Sequence, residues 1–110
     1  MLNQVVLVGR LTSDPVIKEV QNNKVSNITL AVPRSYKNVN GEYETDFINC
    51  TLWQGIASNA KEYCKKGDIV GIRGRLEVNV YEKDEDKKYI TNVIVEKLSF
   101  LSSNKPKEAE

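Results

Sequence analysis

The chain has 110 residues, with 16 basic and 15 acidic side chains, two cysteines and no histidine. This length suits one domain with a modest core, and a formal net charge of +1 argues against the overall basic excess of many duplex-DNA binders. The chain does not open with the basic segment and hydrophobic stretch of a secretory signal, and its apolar runs are too short to span a bilayer. We therefore expect a cytoplasmic protein with no membrane segment.

The first third of the chain has strand and turn patterns. Val5–Leu11 is rich in β-branched and aliphatic residues, Asp14-Pro15 marks a break, and Val16–Val20 resumes the strand. Gln21-Asn22-Asn23 has the composition of a turn. It leads into a second strand, Val25–Val32, with apolar residues on one face and small polar residues on the other.

Pro33 is expected to limit pairing after this strand, because proline lacks the N–H that a sheet ladder needs. The polar stretch Ser35–Asp46 contains Asn40-Gly41, a strong turn signal. We predict a hairpin loop there, holding Tyr36 and Tyr43.

The next strand, Phe47–Trp53, carries aromatic rings on a face that is otherwise polar. Side chains in a strand point alternately to opposite faces. The even-numbered residues form an apolar core face (Ile48, Cys50 and Leu52), and the odd-numbered residues place two rings among small polar groups (Phe47, Asn49, Thr51 and Trp53). Exposed rings are platforms on which unpaired bases stack. Taken alone, Phe47 and Trp53 fit a second packed layer or a subunit contact equally well.

The segment Ile56–Cys64 changes to a helical period, with apolar residues on one side (Ile56, Ala60, Tyr63 and Cys64). Lys65 and Lys66 suit the negative end of a helix dipole, and Gly67 suits the position just past the end. Both cysteines are expected to be free thiols, since two cysteines without a histidine make a poor zinc site.

Ile69–Tyr81 predicts a long strand whose even-numbered residues are apolar apart from one glycine (Val70, Ile72, Gly74, Leu76, Val78 and Val80). Its outward face offers two guanidinium groups and a ring (Arg73, Arg75 and Tyr81). Arginine pairs with phosphate and stacks on bases, although an ordinary solvated face would explain the charges alone. Glu82–Lys88 predicts a charged hairpin tip, and Tyr89–Phe100 predicts the last strand.

The order of three strands, a helix and two strands is that of the five-stranded OB barrel. We predict an all-β fold with one short helix, in which residues 1–101 form one OB domain and residues 102–110 form a short disordered tail. The chain has no glycine-rich phosphate loop and no plausible nucleophile–base pair. We therefore expect neither an enzyme nor a cofactor or metal site.

Four segments are specific in their order and spacing. They are Asn3–Leu11 followed by Asp14-Pro15, then Asn27–Val32, then Asp46–Cys50, and then Lys66-Gly67-Asp68 leading to Gly74-Arg75-Leu76. Together they resemble the bacterial single-stranded DNA-binding protein (SSB) family, and the match runs from the start of the chain to about Phe100.

The resemblance implies an OB domain that assembles as a homotetramer and binds and protects single-stranded DNA, independently of sequence, in replication, recombination, repair or DNA uptake. It also implies a cytoplasmic, nucleoid-associated protein. The family's base-stacking positions correspond here to Tyr36, Phe47, Trp53 and Tyr81, of which Tyr36 enters through the resemblance alone. Candidate phosphate contacts come from strand alternation (Arg73 and Arg75) and from proximity to the family's DNA-contacting segments (Arg10 and Arg34).

The chain departs from the family pattern at two places. Gln54-Gly55 stands where a basic residue often follows the ring, so one phosphate contact is expected to be missing. Typical members continue through a flexible linker to an acidic tip that recruits other enzymes, whereas this chain ends Lys107–Glu110. It either uses no tail-mediated recruitment or has been cut short. The former is our expectation, and it fits a specialised paralogue or a phage or mobile-element protein.

The sequence is compatible with two classes of function. The leading hypothesis is sequence-independent binding of single-stranded DNA. The alternative is an OB-fold protein-interaction subunit of a replication or translation assembly, which would grip protein with Phe47 and Trp53. The residues leave the choice between DNA and RNA open, because stacking serves both.

Overall fold

The computed structural model describes residues 1–102, which contain six strands and one helix. They are β1 (Val5–Leu11), β2 (Lys18–Val20), β3 (Asn23–Lys37), β4 (Tyr43–Trp53), α1 (Gln54–Tyr63), β5 (Ile69–Lys83) and β6 (Asp86–Ser102). The predicted tail, residues 102–110, lies outside the described residues except for Ser102, the last residue of β6. No helix within residues 1–102 combines the length and apolarity needed to cross a bilayer.

The strands form one sheet in the order β1-β5-β6-β4-β3-β2, and β1 also pairs with β3. That additional pairing joins Arg10 to Ala31 and Leu11 to Leu30, and it closes β1, β3, β4, β5 and β6 into a barrel. The short β2 pairs with the beginning of β3. Because α1 connects β4 to β5, the topology confirms the predicted five-stranded OB barrel.

The barrel interior is filled by the side chains that alternation assigned to the core. Leu30 and Leu52 are fully buried on β3 and β4, and Val70 is fully buried on β5. The helix α1 adds Ala57 and Ala60 to the same cluster. These side chains hold β3, β4 and β5 in one rigid unit, so that the outward residues of these strands are presented at fixed positions.

Both cysteines are free thiols within this core cluster. Burial raises the pKa of the Cys50 thiol to about 12. Burial also raises the pKa of the Cys64 thiol, and the negative charge of Asp68 raises it further. Because the thiolate is the reactive form, both groups are expected to be inert near neutral pH.

The strand β3 continues past Pro33 to Lys37, so the predicted end of the strand at Val32 was wrong, although pairing is limited after Pro33 as expected. Pro33 still lies opposite Thr45, and pairing resumes at Lys37 opposite Tyr43 after a local irregularity. The missing N–H of one proline therefore interrupts the ladder without ending the strand. Tyr36 and Tyr43, predicted to lie in a loop, are both on strands.

The charged tip predicted at Glu82–Lys88 is also mostly strand. β5 and β6 continue to Lys83 and from Asp86, and the turn is only Asp84-Glu85. Both turn residues have positive φ, 53° and 69°, which is the backbone twist of the tightest hairpin turns. The two strands therefore extend as a two-stranded ribbon.

The predicted apolar face of β5 changes role along its length. Val70 and Ile72 are buried in the barrel, but Leu76, Val78 and Val80 are about half exposed. The prediction of a continuous core face was thus wrong beyond Gly74, because the ribbon leaves the barrel there and carries its apolar face with it.

The helix begins at Gln54, two residues before the predicted start, and ends at Tyr63. Gly67 was wrongly placed as the residue that ends it, since Cys64 follows the helix in an extended conformation. Gly67 instead has a φ of 93° in the turn before β5, and its N–H donates to the carbonyl oxygen of Leu11 at 2.9 Å. This bond ties the turn to the end of β1.

Candidate nucleic-acid interface

Phe47 lies near the middle of β4 and Trp53 at its end, both on the outer face of the strand. Phe47 is 66% exposed and Trp53 39% exposed. Five residues lie between them on β4, so the two rings are about 20 Å apart along the strand. Phe47 lies opposite Ala31 on β3, and Trp53 lies opposite Val25, which is buried. The rings face away from the core, and small neighbours leave the Phe47 ring open.

A polar strip fills the interval between the two rings. Asn27 pairs with Thr51, and Thr29 pairs with Asn49, in successive outward-facing positions of the β3–β4 ladder. Thr51 Oγ1 donates to Asn27 Oδ1 at 3.0 Å, and Thr29 Oγ1 donates to Asn49 Oδ1 at 3.2 Å. Asn92 of β6 completes the strip, since its Nδ2 donates to Thr51 Oγ1 at 2.9 Å.

Arg10 lies in line with one of the rings. It pairs with Ala31, which pairs in turn with Phe47, so the three residues lie side by side on β1, β3 and β4. The Arg10 side chain is exposed, and its Nη1 donates to the carbonyl oxygen of Gly67 at 2.7 Å. That bond holds the guanidinium near the closed edge of the barrel.

Arg75 lies in line with the polar strip. It pairs with Ile94, and Ile94 is the parallel partner of Thr51. Arg75 Nη2 donates to Glu77 Oε2 at 3.2 Å, and both side chains are partly exposed. A partly exposed pair of this kind is weak, so the guanidinium can exchange Glu77 for another anion.

Arg73 lies further round the barrel. Its partners are Val6 on β1 and Lys97 on β6, so it is not in line with either ring. Its side chain is exposed, and no ion pair of Arg73 is found among residues 1–102. Arg73 and Lys97 thus form a small cationic area beside the strip.

The guanidinium group of Arg34 is already paired with the carboxylates of Asp46 and Glu44. Its Nε and Nη2 donate to Asp46 at 3.2 and 2.9 Å, and Nη1 lies 3.6 Å from Glu44 Oε1. The hydrogen bond and the charge of Asp46 raise the pKa of Arg34, and the same hydrogen bond lowers the pKa of Asp46. A phosphate would have to displace Asp46 to reach this guanidinium.

Tyr81 lies on the β5–β6 ribbon and is exposed. Its cross-strand partner is Lys88, and Asn79 on the same face pairs with Ile90. The ring therefore has a lysine and an aliphatic side chain as neighbours. Lys88 was not predicted as a site residue, because the sequence pattern placed it in a charged hairpin tip. Recognition of a two-residue turn at Asp84-Glu85 would have identified it as the partner of Tyr81.

Tyr36 is exposed near the end of β3, where the ladder with β4 is irregular. Its neighbour Lys37 holds its ammonium nitrogen 5.7 Å from the centre of the Tyr43 ring. This end of the β3–β4 hairpin thus carries two exposed rings beyond Phe47, of which Tyr36 alone was predicted as a site.

The structure brings most of the predicted site residues to one surface. Phe47 and Trp53 flank the polar strip, and register aligns Arg10 with Phe47 and Arg75 with Thr51. Tyr36 and Tyr81 lie on the two hairpins, and Arg73 lies two residues before Arg75 on β5. Arg34 is not brought to this face by register, since its partner Asp46 alternates to the face of β4 opposite Phe47. The polar strip itself was not predicted as functional. Alternation put Asn49 and Thr51 between the rings, but Asn27 and Asn92 needed the register of β3 and β6.

A closed five-stranded barrel with rings on its outer face defines an OB-fold protein. The chain belongs to the single-strand binding protein family, whose model matches residues 2–101. The predicted family resemblance is therefore confirmed.

Three relatives cover nearly all of the chain. It is 46% identical over 110 residues to single-stranded DNA-binding protein B of Bacillus subtilis, covering 98% of this chain and 96% of that protein. It is 47% identical to single-stranded DNA-binding protein 1 of Lactococcus lactis, with 96% and 71% covered. It is 44% identical to single-stranded DNA-binding protein 1 of Clostridium acetobutylicum, with 94% and 97% covered.

Proposed function

We propose that this chain binds and protects single-stranded DNA by stacking bases on outward-facing rings, whatever the sequence. The observation that carries the proposal is the exposure of Phe47 and Trp53 at the two ends of the polar strip. Family membership supports it, because relatives that match almost the whole chain bear the name single-stranded DNA-binding protein. The protein would act as a binder and not as an enzyme.

Stacking supplies the sequence-independent part of the affinity. Each base stacked on an aromatic side chain contributes about 1–3 kcal/mol, because every base has a π-face. The rings proposed for this role are Tyr36, Phe47, Trp53 and Tyr81. Their positions on β3, β4 and the β5–β6 ribbon would lead a strand over the outer face and along the ribbon.

Phosphate pairing supplies a salt-dependent part. We assign it to Arg10, Arg75 and Arg73, and to Arg34 only when phosphate replaces Asp46. Lys88 joins this set because it lies beside Tyr81. Since the net charge is only +1, the attraction depends on these local cations and should weaken steeply as salt is added.

The proposed assembly is a homotetramer, in which several copies wrap one strand. Its support is the amount of apolar surface outside the core: Val6 and Val8 on β1 and Leu76, Val78 and Val80 on the ribbon are all exposed. Such patches mark interaction surfaces. The proposed setting is the cytoplasm, on the nucleoid, during replication, recombination, repair or DNA uptake.

Replacement of the only tryptophan tests the proposal. We expect Trp53→Ala to weaken the binding of fluorescently labelled oligo(dT) by roughly 5- to 150-fold, because one stacking platform is lost. Fluorescence anisotropy measures this, and the emission of Trp53 in the unchanged protein should be quenched on binding.

The matched control is Tyr63→Ala, which removes an exposed ring from α1, away from the outer face. It should leave the affinity unchanged. Unquenched Trp53 emission together with constant anisotropy of the oligonucleotide would refute the proposed function.

A further inference from the structure

We infer that Gln54 is a positioning residue for the ring of Trp53, holding the end of β4 so that the ring is presented to DNA in one orientation. The inference rests on the proposed function, in which Gln54 itself has no assigned contact with DNA. Three observations carry it: the backbone conformation of Gln54, the two hydrogen bonds of its amide, and the place of Trp53 at the end of the β3–β4 ladder.

The chain turns sharply between Trp53 and Gln54. Trp53 is extended, with a φ of −118° and a ψ of 146°, whereas Gln54, the first residue of α1, has a φ of 55°. This left-handed conformation costs free energy for a residue with a Cβ atom, and it persists only where the surroundings hold it. Within residues 1–102, no side chain caps the start of α1. The conformation of Gln54 therefore needs support from another part of the fold.

The Gln54 amide supplies this support by bridging to the beginning of β3. Its Oε1 accepts from the backbone N–H of Lys24 at 3.2 Å, and its Nε2 donates to Asn23 Oδ1 at 2.7 Å. Both partners also pair with β2, so they are themselves held in the sheet. One side chain thus joins the start of α1 to the β2–β3 hairpin through both ends of its amide.

This bridge takes the place of the next cross-strand pair. Trp53 lies opposite Val25, and theirs is the last pair at that end of the β3–β4 ladder. The same register would place Gln54 opposite Lys24, but the Gln54 backbone has already turned into α1. Its side chain makes the link to Lys24 instead. Because the ends of a ladder fray unless they are tied down, this link fixes the backbone on the α1 side of Trp53.

A fixed backbone at Trp53 favours binding through preorganisation. The rotamers open to a side chain depend on its backbone angles, so a loose junction would let the ring take several orientations. Stacking on a base would then have to select one orientation and lose the corresponding entropy, which lowers the affinity. With the amide bridge in place, the ring is already ordered before DNA arrives.

Removal of the amide tests the inference. We expect Gln54→Ala to weaken the binding of labelled oligo(dT), measured by fluorescence anisotropy, by roughly two- to tenfold, as the loss of two exposed hydrogen bonds allows. The tryptophan band in the near-ultraviolet circular dichroism should also fall in the absence of DNA, because this signal requires fixed packing around the ring. Trp53 is the only tryptophan, so the band reports on this ring alone.

A double-mutant cycle shows whether Gln54 acts through Trp53. In the Trp53→Ala background, Gln54→Ala should cause no further loss of affinity, since there is no ring to position. An amide that contacted DNA directly would weaken binding by the same factor in both backgrounds, and that result would overturn the inference.

The variant Gln54→Gly separates positioning from stability. Glycine adopts a positive φ without strain, so this variant should unfold at a higher urea concentration than Gln54→Ala. It also lacks the amide, and it should bind oligo(dT) no more tightly than Gln54→Ala. If the affinity instead recovers along with the stability, Gln54 acts on folding alone and the inference fails.

Changes at Asn23 alter the bridge without altering the junction. Asn23→Ala removes the acceptor and should lower the tryptophan band, whereas Asn23→Asp keeps an acceptor for Gln54 Nε2 and should preserve the band. These two variants decide the matter if the changes at Gln54 prevent folding. The matched control is Gln21→Ala, because Gln21 also has a positive φ, 51°, but its side chain makes no hydrogen bond within residues 1–102. It should change neither the band nor the affinity.

The outcomes separate the inference from the proposed function. An unchanged affinity or an unchanged tryptophan band in Gln54→Ala overturns the inference, while DNA binding itself stands. Absence of binding to oligo(dT) by the unchanged protein, or binding that Trp53→Ala does not weaken, overturns the proposed function.

Discussion

Arg34 and Asp46 form a surface pair whose effect on a single carboxyl group can be measured. The hydrogen bond from Arg34 holds the pKa of Asp46 below its usual range. Because this pKa is lower in the folded chain than in the unfolded chain, the pair stabilises the fold above pH about 4. Its contribution is lost as the pH falls through the folded-state pKa. We expect Arg34→Gln to raise the pKa of Asp46 toward about 3.9, as followed by NMR titration of the carboxyl carbon.

Lys24→Gln, at the far end of β3, is the control and should leave the pKa of Asp46 unchanged. An ordinary pKa for Asp46 in the unchanged protein would contradict the pairing. The same titration examines Arg34 as a phosphate contact. If phosphate takes the guanidinium, the pKa of Asp46 rises when oligo(dT) is added, and a constant pKa means that Arg34 stays with Asp46.

Among the strands, the junction of barrel and ribbon depends on one glycine. The register passes from Arg73 opposite Lys97 to Gly74 opposite Val95, which leaves Glu96 without a partner on β5. A Cβ atom on Gly74 would overlap the backbone carbonyl of Ile94. We expect Gly74→Ala to lower the free energy of unfolding by about 3 kcal/mol, at the upper end of the usual range for overpacking. Urea unfolding at fixed protein concentration measures it.

Gly55→Ala is the matched control, because nothing lies within 4 Å of the added Cβ in α1. There the change should be neutral or stabilise the fold by up to about 1 kcal/mol, since alanine favours the helix. If the two variants unfold at the same urea concentration, the close contact between Gly74 and the Ile94 carbonyl does not constrain the junction.

The same strands explain what sequence could predict. Alternation identified both faces of β4 because Cys50 and Leu52 contrast so clearly with Phe47 and Trp53. It failed beyond Gly74 because a period of two shows which residues share a face, but not what covers that face. The ends of β3 and β5 were missed for a related reason: cross-strand partners such as Thr45 decide where a strand ends. The polar strip needed the same knowledge of register, since Asn27 and Asn92 are distant from Thr51 in sequence.

At the scale of the whole molecule, the ribbon gives the chain an open shape. The radius of gyration is 15.9 Å, whereas a compact chain of this length would have about 13 Å. One face of the ribbon carries Tyr81 and Lys88, and the other carries Leu76, Val78 and Val80. The proposed homotetramer gives each face a role, because the first would meet the DNA strand and the second would meet another copy of the chain.

The mass in solution checks this assembly. Four chains of 12.5 kDa give about 50 kDa, and we expect light scattering to find this value for the unchanged protein. Val78→Asp on the ribbon should lower it, because a carboxylate would be buried without a partner at the interface. Val8→Asp examines the exposed side of β1 in the same way, and Val39→Asp, in a fully exposed loop, is the control.

A mass of 12.5 kDa for the unchanged protein would refute the tetramer. If Val8→Asp lowers the mass and Val78→Asp does not, the copies meet through β1, and the apolar face of the ribbon needs another explanation.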